Sequence, residues 1–290
     1  MAAPRRSCLS VPGSSQRMLA KAPSVGADEL VLDLEDAVAA AAKDEARARV
    51  VDALASGAFG DARVSVRVNA PRTPWCHSDL IALAGAERAA AVVVPKVEAP
   101  ADLMFVDRLL DGAEAAAGRE RPLRVQALIE TASGVASAPE IAAASPRLDS
   151  LILGYADLAA SLGRTRAAAA DPGSWRAVQD AVLVAARHCG LQAIDGPYLG
   201  TAADAAFRAA ATHARDLGFD GKWAIHPSQV AELNAIFTPT DEELERARKV
   251  IAALDHAEAH GGHGAVALDG EMLDEALRAA AQRVLARAGA

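Results

Sequence analysis

An α/β fold of the (β/α)8 TIM-barrel type is predicted by three features of the 290-residue chain. Eight short apolar, β-branched runs follow one another, stretches of Ala, Leu and Arg with helical spacing separate most of them, and the runs recur every 30 residues or so, roughly. A doubly wound open sheet is the runner-up. No GxGxxG or Walker loop follows any run, which lowers that alternative and argues against nucleotide binding in either standard manner.

In order, the runs are CLSVPG (8–13), ELVLDLED (29–36), RVSVRVN (63–69), AAVVVPKV (90–97), LRVQALIET (123–131), LDSLILGYADL (148–158), LQAIDGPYL (191–199) and DGKWAIHP (220–227). Between the second and third, KDEARARVVDALASG carries Ala46, Val50, Val51 and Leu54 at helical spacing and stops at Gly57, a C-cap residue. After the eighth, TPTDEELERARKVIAALDHAEAH opens with a Thr or Asp cap and an acidic first turn, then turns basic as the helix dipole favours. Gly261, Gly262 and Gly264 read as a flexible joint, AVALDGEML as a small hairpin, and the tail as an amphipathic helix. The expected organisation is a barrel over residues 1–235 and a small, mostly helical C-terminal lid segment over 236–290.

Composition narrows the function classes. The chain is 52% hydrophobic, enough for a sizeable core, and its 38 acidic against 30 basic side chains give a net charge of -8. With no basic block interleaved with aromatics, nucleic acid and anionic membrane are poor partners. No apolar stretch is long enough to span a bilayer and no h-region follows Arg5 and Arg6, so a soluble, cytoplasmic protein is expected. Cys8, Cys76 and Cys189 lack CxxC or ligand spacing, and Cys8 between strand-like neighbours reads as packing.

The informative pattern is where polar residues fall. Six runs finish in chemistry: Asp33, Glu35 and Asp36; Arg67 and Asn69; Lys96; Glu130; Asp157; and Asp195. In such a barrel the carboxyl ends of all strands open on one face, so these residues converge on a shared pocket. A carboxylate delivered unpaired to an interior costs several kcal/mol, so Glu130 must meet something there. Several carboxylates offset by Arg67 and Lys96 alone would repel one another, and a divalent cation relieves that. Hard oxygen ligands without His or Cys favour Mg2+, with Glu130 and Asp157 on adjacent strands as the pair. Capping of the following helices is the plainer reading of both. Alternation in RVSVRVN puts Arg63 at the exposed bottom and Arg67 at the top, where its donor fork suits a carboxylate or a developing enolate oxygen; an ion pair with Asp33 or Glu35 is the structural alternative. His226, in a His-Pro turn at the end of the eighth run, is the weaker candidate for a base. The other histidines show no ligand spacing, although those from His256 to His263 are close enough together for adventitious metal.

The stretches RSCLSVPGSSQRMLAKA, DELVLDLEDAV, KDEAR, VRVN, VVVPKVE, IETASGV, ILGYADLAASLG, AIDGPY, GFDGKWAIHPSQV and FTPTDEELERARKVI resemble, in order and over nearly the whole chain, the citrate lyase β-subunit and malyl-CoA lyase group of the HpcH/HpaI aldolase superfamily. The resemblance implies Mg2+ on Glu130 and Asp157, Arg67 on the substrate, CoA thioester contacts from Arg17 and Lys21, and a C-terminal aspartate acting as acid or base in a neighbouring subunit's site, hence a homo-oligomer, a trimer or hexamer. Asp274 in EMLDEAL takes that last position, but the family's proline after it is missing, and a plain helix cap is its other reading. Ala156 stands where many relatives carry an acidic residue before the aspartate, so any supporting role of that residue is lost. The activity implied is Mg2+-dependent cleavage of a β-hydroxyacyl-CoA, of the citramalyl-, malyl- or citryl-CoA type, to acetyl-CoA and a 2-oxo acid, with Glu130, Arg67 and Asp274 as the catalytic set. A citrate lyase β subunit acting on a carrier-bound thioester, an aldolase on free 2-oxo acids, and a silent binding module are the competing readings.

Overall fold

The structure, a computed structural model, describes residues 4–259, 266–268 and 270–288. The chain separates into two compact units, Arg5–Asn234 and a smaller one comprising Met1–Pro4 and Ala235–Ala290.

The larger unit is a closed barrel of eight parallel strands in sequence order: β1 (Ser7–Pro12), β2 (Glu29–Asp33), β3 (Arg63–Arg67), β4 (Ala91–Val94), β5 (Arg124–Ile129), β6 (Leu148–Leu153), β7 (Gln192–Asp195) and β8 (Gly221–Ala224). Each predicted run holds one strand, shortened where its polar end passes into a loop. Closure comes from β1 pairing with both β2 and β8. The outer helices stop where their sequence cannot continue them: Lys43–Ala55 ends before Gly57 at φ 72°, and Pro100–Ala117 before Gly118 at φ 68°. Among the described residues no helix is long and apolar enough to cross a membrane.

Because strand side chains alternate, every second residue of a strand enters the barrel. The interior is therefore layered. Its middle is apolar, built from Cys8, Val31, Val93, Leu128, Ile152, Ile194 and Trp223, one from each of seven strands. Burial pushes the Cys8 thiol up, away from nucleophilic use. Below that layer, at the amino ends of the strands, Glu29 is enclosed by Arg5 at 2.7 Å, Arg63 at 3.0 Å, Gln126 at 2.8 Å and the Ser65 hydroxyl. Arg63, expected at an exposed edge, is instead drawn into this network and also pairs with Asp149 at 2.7 Å. A fully hydrogen-bonded ionic layer plugs the closed end, and the open end is left for chemistry.

In the smaller unit, the helix Asp241–Ala259, the hairpin of β9 (Val266–Leu268) and β10 (Glu271–Leu273), and the helix Glu275–Ala288 share an apolar cluster of Ala247, Val250, Leu254, Leu273 and Ala281. Thr240 and Glu243 cap the first helix reciprocally: Glu243 N–H donates to Thr240 Oγ1 at 3.2 Å and Thr240 N–H to Glu243 Oε2 at 2.8 Å. Met272 on the hairpin is exposed. The glycine joint at 261, 262 and 264, and the histidines at 260 and 263, lie outside the described residues.

Candidate active site

The rim is assembled from five consecutive strand ends. On β2, Asp33 accepts from the backbone N–H of Glu35 at 2.8 Å and of Ala37 at 3.2 Å, which folds the loop so that Glu35 turns back over the barrel mouth. Lys43 secures the same loop from behind, donating to the carbonyls of Leu34 and Glu35 at 2.9 and 2.6 Å. The register of β2 on β3 sets Asp33 directly beside Arg67. Arg67 donates through Nε and Nη2 to the two Asp33 oxygens at 2.8 and 2.6 Å, and its Nη1 lies 3.0 Å from Glu35 Oε2. The substrate contact and the structural ion pair expected for Arg67 are compatible, because Asp33 uses one edge of a five-donor group and leaves hydrogens on both terminal nitrogens.

After β4 comes Lys96, the one non-glycine residue with positive φ, 52°, among the described residues. That sparsely populated conformation turns its backbone N–H onto Glu130 Oε1 at 2.9 Å while its ammonium swings over the mouth. There Lys96 Nζ lies 2.5 Å from Glu35, 3.1 Å from Asp157, 3.7 Å from Asp36 and 4.0 Å from Glu130. Four carboxylates, from the loop after β2, the end of β5 and the first turn of the helix after β6, thus surround the Lys96 ammonium. Glu130 follows β5 and is buried; it does not cap the next helix, because Thr131 does so by accepting from Gly134 N–H at 3.1 Å. Asp157 sits in the first turn of the helix Tyr155–Ser161, whose N-cap Gly154 makes no side-chain cap bond. Gly154 lies so close to Glu130 that a Cβ there would fall 2.5 Å from its Oε2.

The electrostatics of the rim call for more positive charge. Burial, then the neighbouring Glu35 and Asp157 carboxylates, push Glu130 up to about 8 against the pull of Lys96 and Arg67. Burial raises Glu35 as well, and its Oε2 is buried without a hydrogen bond. Arg67 and Lys96 are both raised: the carboxylates around them outweigh the burial that opposes their charge. Asp33, Glu35, Asp36, Glu130 and Asp157 face two cations, leaving the rim net negative. No group of three or more His, Cys, Asp or Glu able to hold a metal alone occurs among the described residues. Mg2+ takes one or two protein carboxylates and completes its octahedron with water and substrate, and the hard oxygens of Glu130 and Asp157 fit that demand.

The other predicted residues have local surroundings of their own. Arg17 and Lys21 are exposed, one helical turn apart on the short helix Gln16–Lys21 that follows β1, with half-exposed Met18 beside them. Asp274 belongs to the smaller unit, where its Oδ1 caps the helix Glu275–Ala288 by accepting from Leu277 N–H at 3.1 Å. His226 is folded into its own turn, its Nδ1 accepting from Ser228 N–H at 3.2 Å. Asp195 does not reach the rim. Its neighbour Ile194 takes the interior position on β7, so Asp195 faces the helix layer, bonded to Tyr155 and Lys222. Lys96 is the site residue that sequence reasoning undervalued. Its signal was the position just beyond a strand end, matching that of Glu130, but only the fold reveals its left-handed backbone.

A family model described as HpcH/HpaI aldolase/citrate lyase matches residues 6–227. The chain is 38% identical over 282 residues to the L-malyl-CoA/beta-methylmalyl-CoA lyase of Rhodobacter capsulatus, spanning 91% of this chain and 88% of that protein. It is 40% identical over 288 residues to the (3S)-malyl-CoA thioesterase of Cereibacter sphaeroides, spanning 99% and 95%. Among solved structures, protein CitE of Mycobacterium tuberculosis in complex with magnesium, acetoacetate and coenzyme A superposes with a TM-score of 0.78 at 34% identity, over 100% of this chain and 99% of that one.

Proposed function

The chain belongs to the HpcH/HpaI aldolase/citrate lyase family, and from that premise we propose a Mg2+-dependent carbon–carbon lyase that splits a β-hydroxyacyl-CoA into acetyl-CoA and a 2-oxo acid. The observation that carries this reading is the crowding of Glu130, Asp157, Glu35 and Asp36 around one point beside Arg67.

Cleavage breaks the bond between the thioester α-carbon and the hydroxyl-bearing carbon. The hydroxyl becomes a carbonyl as it loses its proton, the bonding pair moves into the thioester as an enolate, and a proton on the α-carbon completes acetyl-CoA. Glu130 and Asp157 would hold Mg2+, which would supply Lewis-acid chemistry to the oxygens of the acid portion. Arg67, held rigid by Asp33, directs its remaining N–H groups at the thioester oxygen; a preorganised donor of this kind lowers the barrier by roughly 3 to 4 kcal/mol. Lys96 pairs with Glu35 and so lessens, without cancelling, the rim's repulsion of an anionic acid. Arg17 and Lys21, on one exposed face beyond β1, bind the CoA phosphates. Asp274 delivers the proton to the enolate carbon from the C-terminal unit of the same or a neighbouring subunit, in a homo-oligomer in which that unit serves as a lid.

A second reading rests on the 40% identity to a malyl-CoA thioesterase over nearly the whole chain. There water attacks the thioester carbonyl and releases free CoA and a hydroxy acid. Incubation with malyl-CoA separates the two: glyoxylate and acetyl-CoA in equal amounts mark the lyase, whereas free thiol without glyoxylate marks the hydrolase. Glu130→Ala is expected to abolish Mg2+-dependent turnover in a folded protein. Full activity in EDTA is the result that ends the metal reading.

A further inference from the structure

We propose that Tyr155 is a positioning residue for the cation site, its hydroxyl anchored on a buried Asp195–Lys222 pair so that the turn carrying Asp157 is held in place. The inference rests on the reading of Glu130 and Asp157 as Mg2+ ligands.

Asp157 lies in a seven-residue helix, Tyr155–Ser161, with no side-chain cap at its start, so its own backbone does little to fix it. Tyr155, the first residue of that helix, supplies the missing anchor. Its hydroxyl donates to Asp195 Oδ1 at the end of β7, and Gln179 Nε2, from the helix Arg176–His188, donates to the Tyr155 oxygen at 2.8 Å and to Asp195 Oδ1 at 3.3 Å. Lys222 on β8 closes the network, donating to Asp195 Oδ2 and to the Gly196 carbonyl at 2.6 Å. Asp195, Lys222 and Gln179 are all buried, and none takes part in the chemistry above.

The aromatic ring is seated as firmly as the hydroxyl. Trp175 lies 4.7 Å away between centroids, and Gly196 packs so close that a Cβ there would fall 2.8 Å from Tyr155 Cδ2. Residues 153–157 are therefore wedged between Glu130, against which Gly154 packs, and the Asp195–Lys222 pair. A buried ion pair is poor value for stability alone, since apolar replacements are often as good, whereas a fixed carboxylate direction is what such a pair provides to a neighbouring metal ligand.

The test is calorimetric titration with Mg2+ of the wild type, Tyr155→Phe, Gln179→Met and Asp157→Asn, with melting curves and kinetics alongside. Tyr155→Phe removes one hydroxyl and is expected to weaken Mg2+ binding roughly tenfold, as loss of an outer partner of a metal ligand typically does. The KM for Mg2+ should rise accordingly while kcat at saturating Mg2+ stays within about threefold of wild type. Gln179→Met, which removes the donor to the Tyr155 oxygen and to Asp195 Oδ1 but keeps the Tyr155–Asp195 bond, is expected to shift affinity in the same direction by less. A purely structural role would lower the melting temperature and leave affinity untouched. Wild-type affinity in Tyr155→Phe and Gln179→Met beside weakened binding in Asp157→Asn overturns the inference and spares the metal reading; unchanged affinity in Asp157→Asn overturns both.

Discussion

Replacing Gly154 with Ala tests the site through sterics alone, without altering any charge. The added Cβ would lie 2.5 Å from Glu130 Oε2 and 2.6 Å from Glu130 Cβ, roughly 1 Å inside ordinary contact. Gly154 is poorly able to retreat, because its N–H is bonded to the Ile129 carbonyl at 3.1 Å, continuing the ladder between β5 and β6. The Glu130 carboxylate must therefore give way by about that distance. A displacement of 1 Å at a reacting centre costs about 100-fold in rate, or close to 2.7 kcal/mol of barrier. Folding should suffer less selectively, by about 1 to 3 kcal/mol for an overpacked methyl, seen as a melting temperature lower by about 5 °C. The assay compares kcat/KM at saturating Mg2+, Mg2+ affinity by calorimetry, and the melting curve. Wild-type turnover and affinity in a folded Gly154→Ala protein would refute the idea that this contact fixes the Glu130 carboxylate.

Two further outcomes follow from the ionic layers. Arg67→Lys removes the two-point contact with Asp33 and the reach to Glu35, so kcat should fall roughly 100- to 1,000-fold with little change in melting temperature. At the closed end, burial opposes ionisation of Glu29, yet Arg5, Arg63, Ser65 and Gln126 outweigh it and bring its pKa down to about 2. A depressed carboxylate stabilises the fold above its ordinary range and loses that contribution as pH falls from about 4.5 through 2, on the order of 3 kcal/mol in all. Urea unfolding at pH 7 and pH 3 should show about 2 kcal/mol of that loss in the wild type, the rest falling below pH 3. In Glu29→Gln the acid slope should flatten, and stability at pH 7 should drop by about 3 to 5 kcal/mol because Arg5 is left buried without its counter-charge.

Much of this protein is written in local sequence. Strand runs, the Gly57 stop and the Thr240 cap depend on neighbours within a few residues, so their order and approximate limits are legible without a fold, and the strand-end positions of Arg67, Glu130 and Asp157 follow once the strands are counted. Direction is a different matter. Alternation states that Ile194 and Asp195 face opposite ways, but only barrel closure decides which of them enters the interior, and it sends Asp195 outward to Tyr155 and Lys222. The left-handed turn at Lys96, the pairing of Arg67 with Asp33 through strand register, and the drawing of Arg63 into the closed end all join residues more than thirty positions apart. Such contacts depend on how whole strands are aligned against one another. The sequence by itself therefore determined which side chains are available at the mouth, and the tertiary structure decided which of them meet.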